Sequence, residues 1–266
     1  MFKILLLFFL FSGIQLNGQL SKKHYIPPLT SAIGQTTAPG DQWLYISTPS
    51  IDPINYTVKR ADGTIFRTGQ VSNANSQEIS AGPNGSSGYL FIPRSLTETA
   101  RNDAGFIIEA EQEIYVSARF SSGEAIGGRQ YHGGALVSKG ESALGTKFRI
   151  GALQIKASSH LNFGSVMATE DNTLINITLP IGNGQQLLSG STSTNIILNA
   201  GQSYVFASEN RNDSNFGIIG TLIESDKPIV VNCGSGLGSF AEGEGGQDYG
   251  VDQIVGVDKI GSEYIF

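Results

Sequence analysis

Residues 101–118 read RNDAGFIIEAEQEIYVSA, and residues 211–213 with 220–233 read RND and GTLIESDKPIVVNC. Ile108-Glu109 falls on Ile223-Glu224, Ile114 on Ile229 and Val116 on Val231. Working outward, Ile54-Asn55-Tyr56-Thr57-Val58 aligns with Ile175-Asn176-Ile177-Thr178-Leu179, and Ala81-Gly82 with Ala200-Gly201. The matches keep their order, at spacings far above the roughly 20–50 residues of solenoid and propeller repeats. The repeating unit is therefore a domain. Gly261-Ser262-Glu263-Tyr264 resembles Gly145-Thr146-Lys147-Phe148, so a third copy is expected to begin there, as in the N-terminal part of a longer protein.

Short runs of β-branched and aromatic residues lie between Gly, Pro, Asn and Asp clusters, the pattern of an all-β sandwich or barrel. The expectation is two tandem homologous Ig-like β-sandwich modules plus the start of a third. Their bounds are 19–140 (with an N-terminal arm and a Gly-rich linker), 141–258 and 259–266, after a signal peptide at 1–18. Strands are expected at 43–48, 54–60, 64–68, 78–80, 89–92, 105–110 and 114–120. In the second copy they are expected at 164–169, 172–179, 185–188, 193–198, 203–206, 216–224 and 229–233. Asp62-Gly63 between two strands is the residue choice of a type I′ hairpin. Asp226-Lys227-Pro228 reads as a turn, and the Gly-rich stretches 121–145 and 234–261 as links.

Lys3, the apolar run 4–11 and the small residue Gly18 read as a secretory signal, giving a secreted or cell-surface protein. The run is far short of the ~20 residues that span a bilayer. Cys233 is the single cysteine, so an exported chain must rely on its cores, and its apolar setting reads as an inert buried thiol. The net charge of −6, with no Lys/Arg cluster, speaks against nucleic-acid partners.

For chemistry the residues offer little. His24, His132 and His160 lack metal-pair spacing, and no Gly-x-Ser-x-Gly elbow occurs. No catalytic residue is assigned and the chain reads as a non-enzyme. Glu242, Glu244, Asp248 and Asp252 gather carboxylates among glycines, which could supply oxygens to calcium. The same composition suits a solvated loop, and both readings stand. Gly234, Ser235, Gly236 and Tyr249 are the ligand-loop candidates, in a stretch expected to lie at a sandwich end. Exposed aromatics such as Trp43, Tyr131 or Tyr249 on one plane would favour carbohydrate binding. The sequons at Asn55 and Asn176 fall in matched strands, where structure explains them better than glycosylation.

Asp226-Lys227-Pro228-Ile229-Val230-Val231, then Asp248, Asp252-Gln253-Ile254-Val255 and Gly261-Ser262-Glu263-Tyr264-Ile265 resemble the N-terminal domain of IgG-Fc-binding proteins. Residues 19–29 (QLSKKHYIPPL) resemble the start of large surface proteins of gliding bacteria. That likeness implies type IX secretion, gliding motility and a C-terminal sorting domain further along. Together they imply adhesion to an extracellular protein or polysaccharide, IgG Fc being the ligand of the family name. The alternatives are spacer modules of a larger secreted protein, or carbohydrate-binding modules attached to a downstream enzyme.

Overall fold

The computed structural model describes residues 19–30, 41–81, 89–122, 132–155, 161–181, 184–209, 217–239 and 247–259. The described residues hold strands and three short 3-10 turns. In chain order the strands are β1 (Ser21–Ile26), β2 (Leu29–Thr30), β3 (Asp41–Ser47), β4 (Ile54–Arg60), β5 (Ile65–Val71), β6 (Gln77–Ser80), β7 (Phe91–Ile92), β8 (Ala100–Arg101), β9 (Phe106–Ser122) and β10 (His132–Val137). They continue as β11 (Gly145–Arg149), β12 (Leu161–Ala168), β13 (Thr173–Thr178), β14 (Ser193–Leu198), β15 (Ser203–Glu209), β16 (Leu222–Ser239) and β17 (Gln247–Ile254).

Two long strands organise everything. The first half of β9 pairs with β1 and β4, its second half with β3 and β10, and β5 and β6 extend the two leaves. The first half of β16 pairs with β11 and β13, its second half with β12 and β17, and β14 and β15 extend them. The two pairing diagrams are the same. Inner-face residues of both leaves share one core in each: Val58, Ile108, Ile46 and Val116 in the N-terminal sandwich, Ile177, Ile223, Val166 and Val231 in the C-terminal one. Alternation supplies these faces, as in β4, whose Tyr56 and Val58 point in and Asn55 points out.

Register recurs as well. Val58 and His24 flank Ile108, as Ile177 and Phe148 flank Ile223. Lys23–Glu109 (2.8 Å) reappears as Lys147–Glu224 (2.9 Å). The backbone N–H of Asn55 donates to Glu111 as that of Leu174 donates to Asp226, and Thr48 Oγ1 donates to Glu113 O as Thr169 Oγ1 donates to Pro228 O. The inner face is filled differently in the two: Leu44 faces Ile79 in one sandwich, while in the other Gly164 faces Phe206, whose ring would stand 2.3 Å from any Cβ added there.

Several expectations are corrected. The segments split at Gln112-Glu113 and at Asp226-Lys227-Pro228 are single strands of 17 and 18 residues. At 226–228 the strand leaves β13, last paired at Ser225, and joins β12, first paired at Ile229. Pro228 lacks a donor and sits where no ladder bond is required. The Ile54–Ile175 alignment is two residues out, since Val58, not Tyr56, takes the place of Ile177; a shift of two leaves every side chain on its own face. Ala81 follows β6 whereas Ala200-Gly201 precedes β15, so that match is not structural. Residues 185–188 form no strand. The Gly63 turn has a single left-handed residue, with Arg60 N bonded to Thr64 O. Asp62 keeps a negative φ, so the connection is a three-residue hairpin loop ending in a bulge and not type I′. The expected arm is strand β1, with His24 fully buried.

Candidate functional site

The two sandwiches meet across a seam built from β1, β2 and β10 on one side and β12, β16 and β17 on the other. β8 crosses it and pairs with β15, and Arg94 makes an ion pair with Glu209. The outer face of β12 is buried there, so that β12 shows no exposed residue. Buried polar groups close the seam. Gln253 Nε2 donates to Tyr25 O (2.8 Å) and Asn232 Oδ1 (3.1 Å), and Asn232 Nδ2 donates to Pro27 O (2.9 Å). Gln253 Oε1 accepts from Lys139 N (2.7 Å). Ser138 Oγ lies 3.1 Å from Gln253 Oε1 and 3.0 Å from His24 Nδ1, while His24 Nε2 lies 2.9 Å from Ile114 O. Burial holds the His24 imidazole below its ordinary range.

Beside this seam a cleft of about 440 Å³ opens, walled by the β4–β5 turn and β9 on one side and by Thr169 and residues 199–202 on the other. Its floor is a backbone contact: Gly201 has φ +79° and a Cβ there would lie 2.3 Å from Ala61 O, so the close approach requires glycine. On the wall, Glu109 takes Lys23 on one oxygen (2.8 Å) and Lys59 on the other (2.5 Å). Hydrogen bonds from Lys23 and then Lys59 hold its carboxyl below the usual range. Three acceptors of the cleft are occupied. Asp62 Oδ1 takes two bonds from Thr64, Asn199 Oδ1 takes Asn172 N and Gln202 Oε1 takes Asn199 N. The remaining lysine N–H groups and the amide NH₂ groups of Asn199 and Gln202 are donors that face the cleft, and Asn102 adds an amide with both a donor and an acceptor. The C-terminal sandwich has no counterpart of Lys59, since Thr178 holds that place in the register.

The residues singled out from sequence lie elsewhere. Gly234, Ser235 and Gly236 are not a loop but the continuation of β16, between β12 and β17. Glycine serves close approach here, because a Cβ on Gly234 would sit 2.0 Å from Gly250 O. Ser235 Oγ accepts from Leu153 N and Asn162 Nδ2. Tyr249 is 5% exposed; its hydroxyl donates to Thr30 O (2.8 Å) and its ring packs edge-on against Phe120 and Phe91. It therefore shares no exposed plane with half-buried Trp43, and Tyr131 lies outside the described residues. Asp248 Oδ1 accepts from Gly133 N and Tyr249 N, and Asp252 pairs with Lys139 at 2.7 Å. Glu242 and Glu244 lie outside the described residues, as do residues 1–18, 259–266 beyond Lys259, and His160. Among the described residues no three His, Cys, Asp or Glu side chains cluster as metal ligands, and no helix is long and apolar enough to cross a membrane. Cys233 is buried and its thiol is pushed up to about 11 by burial.

Sequence reading missed the cleft because its walls come from segments more than a hundred residues apart. Lys23, Lys59 and Glu109 carry no common spacing, and only the pairing of β1 and β4 on either side of β9 brings them together.

No curated protein and no solved structure matches the chain. A family model described as IgGFc binding protein matches residues 133–266, half of the chain, from β10 through the whole C-terminal sandwich. The chain belongs to the IgGFc-binding protein family.

Proposed function

We propose that this is a secreted, non-catalytic recognition protein of the cell surface, whose two sandwiches are homologous modules and whose ligand enters the cleft between them. The observation that carries the reading is the cleft wall: two lysines share one carboxylate, beside the side-chain amides of Asn102, Asn199 and Gln202. Such a surface suits an oxygen-rich extracellular ligand, a protein carboxylate or an acidic polysaccharide. The family name makes IgG Fc one ligand to test. The apolar run at 4–11 supports export, and the resemblance of residues 19–29 supports the type IX, gliding-associated setting.

The test is a glycan and matrix-protein array, IgG Fc included, probed with the purified protein with and without calcium. Saturable binding to at least one carboxylate-bearing spot that is lost in Lys59→Glu, at unchanged melting temperature, is expected. A calcium requirement would bring the carboxylates of 242–252 back into the site. Silence on every spot would favour the second reading, a spacer, which the polar lock across the seam also supports.

A further inference from the structure

The outer face of the β6–β3–β9–β10 leaf corresponds, strand for strand, to the outer face of the β15–β12–β16–β17 leaf that is buried in the seam. In the buried face, one cross-strand row reads Ala207, Phe163, Gly234, Val251 and the next reads Val205, Ser165, Asn232, Gln253. In the N-terminal sandwich the same rows read Ser80, Trp43, Arg119, Ala135 and Glu78, Tyr45, Ser117, Val137. A glycine has become an arginine, and two seam-filling positions carry large amphipathic rings. Trp43 and Tyr45 are half-buried, as is Tyr115 across from Ser47, and Arg119 is exposed with its guanidinium 4.7 Å from the centre of the Tyr45 ring. The Tyr45 hydroxyl is hydrogen-bonded to the Glu78 carboxylate.

We infer that this face is a polysaccharide-binding platform, separate from the cleft, on which a pyranose ring stacks against Trp43 while Arg119, held over the Tyr45 ring, and Glu78 hydrogen-bond its hydroxyls. Aromatic faces attract the C–H side of a sugar ring; beside Trp43, Arg119 held over the Tyr45 face is a donor and Glu78 at the Tyr45 hydroxyl is an acceptor. Another sandwich docked here, as in the seam, would have to bury Arg119 and Glu78, at a desolvation cost of several kcal/mol per ion. A sugar leaves them partly wet.

Trp43 is the sole tryptophan of the chain, so its emission, excited where tyrosine does not absorb, reports on this face alone. The protein is titrated with soluble oligosaccharides of glucose, N-acetylglucosamine, mannose, galactose and a uronic acid. At least one is expected to change Trp43 emission saturably, with affinity falling roughly tenfold in Tyr45→Ala, which removes the ring that holds Arg119 and Glu78 in place. Arg119→Ala should weaken it too, Lys59→Glu in the cleft should not, and the far-ultraviolet spectrum and melting temperature confirm that each variant is folded. A flat response to all five sugars overturns the inference, as does a response that survives Tyr45→Ala and Arg119→Ala. An emission change that needs only protein concentration, with a dimer mass in light scattering, also overturns it and names a second copy as the occupant.

Discussion

Gln253 is the centre of the seam, and removing it gives a quantitative test of how the two sandwiches are joined. Its fully buried side chain makes four contacts, to Tyr25 O, Asn232 Oδ1, Lys139 N and Ser138 Oγ. In Gln253→Leu the volume is nearly kept, but Tyr25 O, Lys139 N and Asn232 Oδ1 lose a partner in a place water does not reach. Each orphaned group costs about 1–3 kcal/mol, and added apolar burial offsets part of it, so the net loss is about 3–5 kcal/mol. Against a typical total of about 5–15 kcal/mol this is a large fraction. Urea unfolding should be followed twice, by Trp43 emission for the N-terminal sandwich and by far-ultraviolet circular dichroism for the whole chain. The two curves are expected to coincide in the unsubstituted protein and to separate in the variant, with a lower midpoint. Gln253→Glu keeps the acceptor for Lys139 N but turns an oxygen toward Tyr25 O, so it should be destabilised at neutral pH and the gap to the unsubstituted protein should narrow on acidification, when the protonated acid can donate. A loss under about 1 kcal/mol in Gln253→Leu, with coincident curves, would refute the view that this network locks the two sheets of strands together.

Three further outcomes are expected. Burial lowers the His24 pKa, so the native state favours the neutral ring; its stabilising contribution is complete above the ordinary histidine range and is lost as pH falls through the lowered value. Unfolding free energy should therefore drop on acidification through that window, and His24→Phe, which installs the residue found at the equivalent Phe148, should flatten the drop. Gly201→Ala places a Cβ against Ala61 O at a left-handed φ, and should lower stability by about 1–3 kcal/mol in chemical denaturation while widening the cleft. Cys233, buried with its thiol raised to about 11, should resist a thiol reagent at mildly alkaline pH until the protein is unfolded, as followed by mass spectrometry.

Much of the fold was legible because hydrophobic alternation and the repeat point the same way. Ile108-Glu109 and Ile223-Glu224 hold equivalent places in β9 and β16, down to the lysine that each glutamate takes from the neighbouring strand. What stayed hidden depends on partners distant in sequence. Pro228 looks like a turn until the change of partner from β13 to β12 shows why no donor is needed there. Gly234 looks like loop until Gly250 is seen to approach it, and Tyr249 looks like a surface ring until β10 and the Phe91–Phe120 pair enclose it. The cleft and the platform were hidden for the same reason: strand pairing, not spacing, places Lys59 beside Lys23 and Arg119 beside Trp43.

The claim on which the rest depends is that β9 and β16 each run unbroken through two leaves, so that one pairing diagram occurs twice. Amide hydrogen exchange read peptide by peptide along 106–122 and 222–239 tests it directly. Slow exchange through both strands is expected, dipping only around Glu111–Gln112 and Asp226–Lys227 and persisting through Gly234, Ser235 and Gly236. Fast exchange from Gly234 onward, as for a solvent-exposed glycine loop, would contradict it.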